Sequence, residues 1–106
     1  MAWVILVVAG LFEMAWALLL KQSEGLTRPV PTIGFVVCLA LSMFLLAQAL
    51  KSLPVGSAYA VWTGIGAAGT AIVGMIFLGE SRDVLKLVSL VMLIAGIIGL
   101  RLTSGE

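Results

Sequence analysis

The chain has 106 residues, of which 62% are hydrophobic and only 10% are charged, whereas soluble domains are roughly 45 to 50% apolar. This composition is that of a membrane protein, and about four spans of roughly 20 residues leave no room for a soluble domain. The net charge of +1 excludes a basic surface for nucleic acid, and one cysteine without any histidine excludes a His/Cys metal site and an intrachain disulfide.

Four apolar runs separated by short polar segments predict four transmembrane helices. They cover about residues 3–20, 32–50, 57–78 and 84–102. Each run is close to the roughly 20 residues that cross a bilayer core of about 30 Å. The predicted fold is a single all-α membrane domain spanning residues 1–106. In the connections, Ser57 is the candidate N-cap of the third helix, Gly79 can end that helix, and Ser81 or Asp83 can cap the fourth.

The first predicted helix carries one charged residue, Glu13, inside its apolar run. A carboxylate at that depth costs free energy unless it faces a bundle interior, a partner or a wet cavity, so it indicates a functional site. Gly10 and Trp16 lie three residues before and after Glu13 and share its helix face. The glycine leaves space beside the carboxylate, and the indole brings an N–H group close to it. Interfacial anchoring is the alternative role for a tryptophan, and Trp3 fits it.

The second predicted helix has one polar residue at depth, Ser42. Its hydroxyl can bond to the backbone four residues earlier or donate to Glu13, and both possibilities stay open. Met43 and Phe44 are candidates for the border of an opening between helices, with apolar packing or lipid contact as the simpler explanation.

The third predicted helix places aromatic, hydroxyl and small residues on one side: Tyr59, Trp62, Thr63 and Gly66. Tyrosine and tryptophan at depth need hydrogen-bond partners, and Glu13 is the strongest acceptor in the chain's apolar runs. Gly64, Gly66 and Gly69 weaken the helix locally. They favour either a bend that changes between two states or tight packing of helices.

The fourth predicted helix carries Ser89 and Gly96 seven residues apart, with Gly99 three residues further on. Small residues at this spacing permit close approach of helices in lipid, although glycine is also common in membrane helices generally. We expect this face to join two copies of the chain. Two copies would supply eight helices around two Glu13 side chains, whereas four short helices enclose little.

Basic residues are distributed almost evenly between the two predicted sides of the membrane. One side carries Lys21, Arg28, Arg82 and Lys86, and the other carries Lys51, Arg101 and the N-terminal amine. Since lysine and arginine near helix ends set the orientation, this weak bias permits either insertion. Dual topology, with antiparallel pairing of two copies, is therefore a hypothesis.

Two Glu13 carboxylates with nearby aromatic and hydroxyl groups predict an anionic cavity near the bilayer midplane. Its expected ring comprises Trp16, Ser42, Tyr59 and Trp62. Such a cavity selects a cation. A cation and protons would compete for the same carboxylates, and this competition would couple their movements.

The chain resembles the small multidrug resistance family of bacterial proton-coupled exporters along its whole length. The resemblance is carried by Glu13 in the first of four helices, the run at 58–66, and Gly-Ile-Ile-Gly-Leu at 96–100. Features similar to the guanidinium-exporting subtype are Glu-Met-Ala-Trp at 13–16, Leu-Lys at 20–21, Ser42, and Trp-Thr-Gly-Ile-Gly at 62–66.

The resemblance implies an antiparallel homodimer in the bacterial inner membrane that works by single-site alternating access and needs no cofactor. It implies that both Glu13 side chains bind substrate and protons, that Tyr59 and Trp62 line the site, and that Ser42 orients the glutamates.

Three further positions take their expected roles from the resemblance. Ser89 stands where the family often has the first glycine of a seven-residue pair, which would alter the dimer contact. Leu39 and Met43 lie where the family's side portal opens, and flexible residues there could admit alkyl tails.

Three functions remain after these observations. Guanidinium offers a planar N–H fork that matches a carboxylate, which favours a guanidinium/proton antiporter. Aromatic walls attract any cation, so an exporter of quaternary ammonium or other hydrophobic cations is the alternative. A non-transporting membrane interaction protein, in which Glu13 pairs with a partner helix, is the third. No nucleophile and base pair or cofactor motif indicates an enzyme.

Overall fold

Four long helices form the computed structural model, which describes residues 1–103. They are α1 (Ala2–Gln22), α2 (Pro29–Ala49), α3 (Val55–Phe77) and α4 (Val84–Thr103). Each helix is long and apolar enough to cross a membrane, which confirms the prediction of four spans.

Helices α2 and α3 begin three and two residues earlier than the sequence predicts, and proline is the reason in both cases. Pro29 opens α2, because a proline needs no hydrogen bond for its nitrogen at the first helical position. Pro54 is the N-cap of α3, with φ −60° and ψ 139° in the extended region that this position requires. The prediction that Ser57 caps α3 is therefore wrong, since this residue lies inside the first turn.

The connection between α3 and α4 follows the sequence prediction. Gly79 comes directly after Leu78, the C-cap of α3, and has φ +70°, which glycine adopts without a Cβ clash. Asp83 precedes α4, and its Oδ1 accepts a hydrogen bond of 3.0 Å from the backbone N–H of Lys86. This bond satisfies one of the free N–H groups at the start of the helix.

The hydrophobic core occupies only one half of the bundle. α1 packs along both α2 and α3. The buried residues of the core come from the first half of α1, the end of α2 with its loop, and the first half of α3: Ala2, Leu6, Ala9, Leu46, Ala49, Leu53, Ala58, Val61 and Trp62. Beyond Gly10, no residue of α1 is buried. The second half of α1, which contains Glu13, therefore faces a less closely packed part of the structure.

Helix α4 lies at the edge of the bundle. Its backbone approaches only that of α3 among the described helices, and none of its residues is buried. Arg101 reaches across to α1, where its guanidinium lies 5.0 Å from the centroid of the Trp3 ring. A long apolar helix with no buried residue presents its faces to lipid or to a second protein chain.

The contact between α1 and α3 depends on a glycine at position 10. A Cβ at this position would lie 2.7 Å from Ile65 Cγ2 and 2.8 Å from Ile65 Cβ, so α1 and α3 would have to move apart. We expect Gly10→Ala to lower the free energy of unfolding in detergent by about 1–3 kcal/mol, because overpacking a close contact has this cost.

Gly56→Ala is the matched control, because in the described part of the chain no atom outside the adjoining backbone lies within 4 Å of a Cβ placed there. Alanine has the higher helix propensity, so this variant should be as stable as the wild type or slightly more stable. Equal unfolding free energies for the two variants would contradict the packing role of Gly10.

Candidate functional site

A cavity of about 330 Å³ opens beside the half of α1 that the core leaves uncovered. Its lining comes from α1, α3 and the loop after α3: Glu13, Trp16, Ala17, Thr63, Gly66, Ala67, Thr70, Ala71 and Glu80. Small side chains form most of the α3 wall, and two carboxylates are the acidic groups. The cavity is thus a mixed polar and apolar space within a membrane-spanning bundle.

The carboxyl group of Glu13 lies directly against the backbone of α3 at Gly66. A Cβ on residue 66 would lie 2.5 Å from Glu13 Cδ and 2.7 Å from Glu13 Cγ, so any larger residue would displace the carboxyl group. Gly66 is itself buried. The glycine therefore creates the space that the carboxylate occupies, which is one reason for a glycine at this position.

Three polar atoms at the cavity are buried and have no hydrogen-bond partner within residues 1–103. They are Glu13 Oε1, Trp16 Nε1 and Thr70 Oγ1. Buried polar atoms are nearly always hydrogen-bonded in folded proteins, so these three atoms mark the cavity as a place where water or a polar ligand would find partners. Glu13 offers an acceptor, the Trp16 indole offers a donor, and the Thr70 hydroxyl offers both.

Ser42 and Trp62 form a separate hydrogen-bonded pair inside the core. Ser42 Oγ donates to the backbone carbonyl of Ala9 at 2.7 Å and accepts from Trp62 Nε1 at 2.9 Å. The single hydroxyl proton of Ser42 is thus directed neither at its own helix nor at Glu13, the two possibilities that the sequence left open. Likewise, Trp62 has Ser42 as its acceptor, although the sequence pointed to Glu13.

The bond to Ala9 still connects Ser42 with the Glu13 turn of α1. In an α-helix the carbonyl of residue 9 accepts the N–H of residue 13, so Ser42 adds a second bond to the same oxygen. This bond joins α1 and α2 one turn before the carboxylate. Ser42 therefore supports the position of Glu13 through the backbone.

The aromatic side chains that were predicted to surround the site do not all lie together in the single chain. Trp16 lies at the cavity with Glu13 and makes an edge contact with Phe35 of α2, with ring centroids 5.8 Å apart. Trp62 is buried in the core, and Tyr59 packs on it with centroids 5.6 Å apart. Tyr59 is 56% exposed, so it faces outward from this chain.

Of the remaining residues predicted for the site, some line the cavity and others do not. Thr63 and Gly66 line the cavity. Gly64 instead serves close packing, because a Cβ there would lie 3.0 Å from Ile97 Cδ1 of α4. On α2, Leu39 is half-buried and Met43 is exposed, and neither lines the cavity in the single chain.

The small residues predicted for a dimer contact lie on the open side of α4. Gly96 and Gly99 help to line a shallow groove of about 570 Å³ beside Ala60 of α3, and within residues 1–103 no atom outside the adjoining backbone lies within 4 Å of a Cβ placed on either glycine. Ser89 is exposed and donates to the carbonyl of Leu85 at 2.8 Å. The backbone at these positions is thus accessible to another helix.

Sequence reasoning missed two polar residues of the cavity, Thr70 and Glu80. Thr70 follows Gly66 by four residues on α3, so helical spacing could have indicated it. Glu80 lies in a loop, and only the turn at Gly79 brings it to the cavity.

Comparison with known proteins shows similarity along nearly the whole chain. Residues 1–93 match the family model described as Small Multidrug Resistance protein. The chain is 59% identical over 104 residues to a guanidinium exporter of Yersinia pseudotuberculosis, an alignment that covers 98% of this chain and 100% of that protein. Guanidinium exporters of Escherichia coli K12 and Salmonella typhimurium LT2 are 54% and 51% identical, again over 98% of this chain and 99% of each relative.

The Ser42–Trp62 pair leads to a stability prediction. Ser42→Ala removes the acceptor of a buried indole N–H, so we expect the free energy of unfolding in detergent to fall by about 1–3 kcal/mol. Ser57→Ala is the control, because the Ser57 side chain makes no hydrogen bond within the described residues and alanine suits a helix. If both variants unfold like the wild type, the pair contributes nothing measurable to stability.

Proposed function

Because the chain belongs to the small multidrug resistance family, we propose that it exports guanidinium from a bacterium in exchange for protons. The observation that carries this proposal is the position of Glu13. Its carboxyl group lies in a membrane-spanning helix against Gly66, and its Oε1 is buried at a cavity without a hydrogen-bond partner among residues 1–103. The similar proteins named guanidinium exporters support the choice of cation.

The hydrogen-bonding capacity of the cavity favours guanidinium over a quaternary ammonium ion. Guanidinium is planar, and its N–H groups can donate to both oxygens of a carboxylate. A tetraalkylammonium has no N–H group, so it would leave Glu13 Oε1 without a donor. The Trp16 ring and the Thr70 hydroxyl, which also border the cavity, suit a small polar cation with a flat face.

Coupling to protons follows from the use of one group for both ions. The Glu13 carboxylate can hold a proton or a cation, and binding of either one displaces the other. In single-site alternating access, the site opens to one side of the membrane at a time. Protons that bind on the outside would release the cation there, and the cation would release protons on the inside.

The proposal includes an antiparallel homodimer that contacts along α4. This helix has no buried residue, and its Gly96 and Gly99 leave the backbone open to a neighbouring helix. In the dimer, the two Glu13 side chains would share one site. Tyr59, which is 56% exposed here, would then face the partner chain, where its hydroxyl can find an acceptor.

Transport by reconstituted protein tests the function directly. With the wild type in liposomes, a proton gradient should drive guanidinium movement. Glu13→Gln should reduce it to the level of empty liposomes, because the amide keeps the shape of the side chain but cannot exchange a proton for a cation. Glu24→Gln, which changes a loop carboxylate outside the cavity, is the control and should transport normally. Robust transport by Glu13→Gln would contradict the mechanism.

A panel of cations in the same assay separates the competing functions. Guanidinium and small alkylguanidiniums should be transported faster than tetramethylammonium. The reverse order would support an exporter of quaternary ammonium compounds. If the wild type moves no cation and releases no protons when cations are added, the interaction-protein hypothesis would replace transport.

Orientation can be measured with single cysteines in a Cys38→Ala background. Ser52→Cys lies in the loop between α2 and α3, and Ser81→Cys lies in the loop at the opposite end of the bundle. With dual topology, a membrane-impermeant maleimide should label about half of each variant in intact cells. Full labelling of one loop and none of the other would show a single orientation and contradict the antiparallel homodimer.

A further inference from the structure

The cavity has a second carboxylate, Glu80, at the end away from the core. Glu80 belongs to the loop after α3 and lines the same space as Glu13. Its side chain is 45% exposed, and its Oε1 lies 3.4 Å from Lys86 Nζ. Because Glu80 is half-exposed and lines the same cavity as Glu13, its carboxylate is accessible both to water and to a solute that enters.

Backbone geometry holds Glu80 in this position. The left-handed turn at Gly79 folds the chain back, so that the Glu80 N–H donates to the carbonyl of Gly74 at 3.1 Å. Arg82 fixes the same loop, because its Nε and Nη2 donate to the carbonyl of Met75 at 3.1 and 3.0 Å. The Gly74 carbonyl also accepts from the Leu78 N–H at 3.0 Å, and the Met75 carbonyl belongs to the last turn of α3, so both bonds tie the loop to the end of the helix.

The Glu80 carboxyl group lies over a glycine, as the Glu13 carboxyl group does. A Cβ on Gly74 would lie 2.6 Å from Glu80 Cδ and 2.7 Å from Glu80 Oε2. Gly66 and Gly74 are eight residues apart on α3, which corresponds to about 12 Å along the helix axis. Two glycines of one helix thus each accommodate a carboxylate from another segment of the chain.

A polar group lies between these two carboxylates. Thr70 is four residues from each glycine, so the three residues share one face of α3. Its Oγ1 is buried and has no partner in the described part of the chain, and it borders the same cavity. Along this face of α3, the Glu13 carboxylate, the Thr70 hydroxyl and the Glu80 carboxylate follow one another from the membrane interior to the loop.

We propose that Glu80 is a second binding position for the organic cation, occupied in transit between the aqueous side and Glu13. The inference rests on the proposed export of guanidinium and adds a step to it. The two carboxylates lie against glycines that are about 12 Å apart along α3, so a small cation would use the two positions in succession. Lys86 holds Glu80 until a cation replaces it, and Thr70 offers a hydrogen bond on the way.

Neutralising Glu80 tests this position. In proteoliposomes at low ionic strength, Glu80→Gln should raise the KM for guanidinium about two- to fivefold, the range expected for loss of one partly exposed charge interaction. The kcat should stay within about twofold of the wild type, because Glu13 is intact. The difference in KM should shrink in high salt, since screening weakens the attraction of the exposed carboxylate in the wild type.

Asp83→Asn is the matched control. It removes the same charge from the same loop, but Asp83 does not line the cavity, and asparagine keeps the acceptor that caps α4. Its KM should equal that of the wild type. Equal KM values for Glu80→Gln and Asp83→Asn would overturn the proposal, because the effect would then be absent or would belong to the net charge of the loop.

Lys86→Gln should change the KM for guanidinium in the direction opposite to Glu80→Gln. This variant removes the cation that pairs with Glu80, so guanidinium no longer has to displace it, and the KM should fall. A higher KM, or a fall of equal size in the Lys86→Gln, Glu80→Gln double variant, would contradict the role of Glu80. If the wild type transports guanidinium but these variants match it, only the second position fails; if the wild type transports none, the proposed function fails as well.

Discussion

A carboxyl group within an apolar helix is the constraint on which the rest of this structure depends. Glu13 lies in a span of α1, and its side chain fits against α3 only because residue 66 is a glycine. In lipid a carboxylate needs a hydrogen-bond donor or a cation nearby, and Oε1 has none within the described residues. Under the proposed function, a proton or a guanidinium ion would meet this need.

The apolar core and the cavity occupy different halves of the bundle. The half that contains the N-terminus holds the apolar core and the Ser42–Trp62 pair, which joins α2 to α1 and α3. The other half holds the cavity, where the small residues of α3 leave space beside α1. A bond to the carbonyl of Ala9, one turn before Glu13, connects the two halves. The core can thus position the carboxylate without filling the space around it.

Much of the fold could be predicted because long apolar runs have one stable solution in a bilayer, the helix. Helical spacing also indicated that Trp16 and Gly66 lie near the cavity. The N-cap of α3 and the hydrogen-bond partners of Ser42 and Trp62 differ from the sequence predictions. Pro54 replaced Ser57 as the cap of α3, since a proline both ends the loop and suits the extended N-cap conformation. Ser42 donates to the Ala9 carbonyl of α1, because the packing of α2 on α1 brings that oxygen to 2.7 Å from the hydroxyl.

The sequence by itself determined the four spans, the family, and one acidic residue at depth, because each depends on composition or on spacing along a single helix. Only the tertiary structure decided which polar groups meet. The pairing of Ser42 with Trp62 depends on how helices cross, and the approach of Glu80 to the cavity depends on a left-handed turn at Gly79. Distances between segments are set by packing, and no local pattern in the chain encodes them.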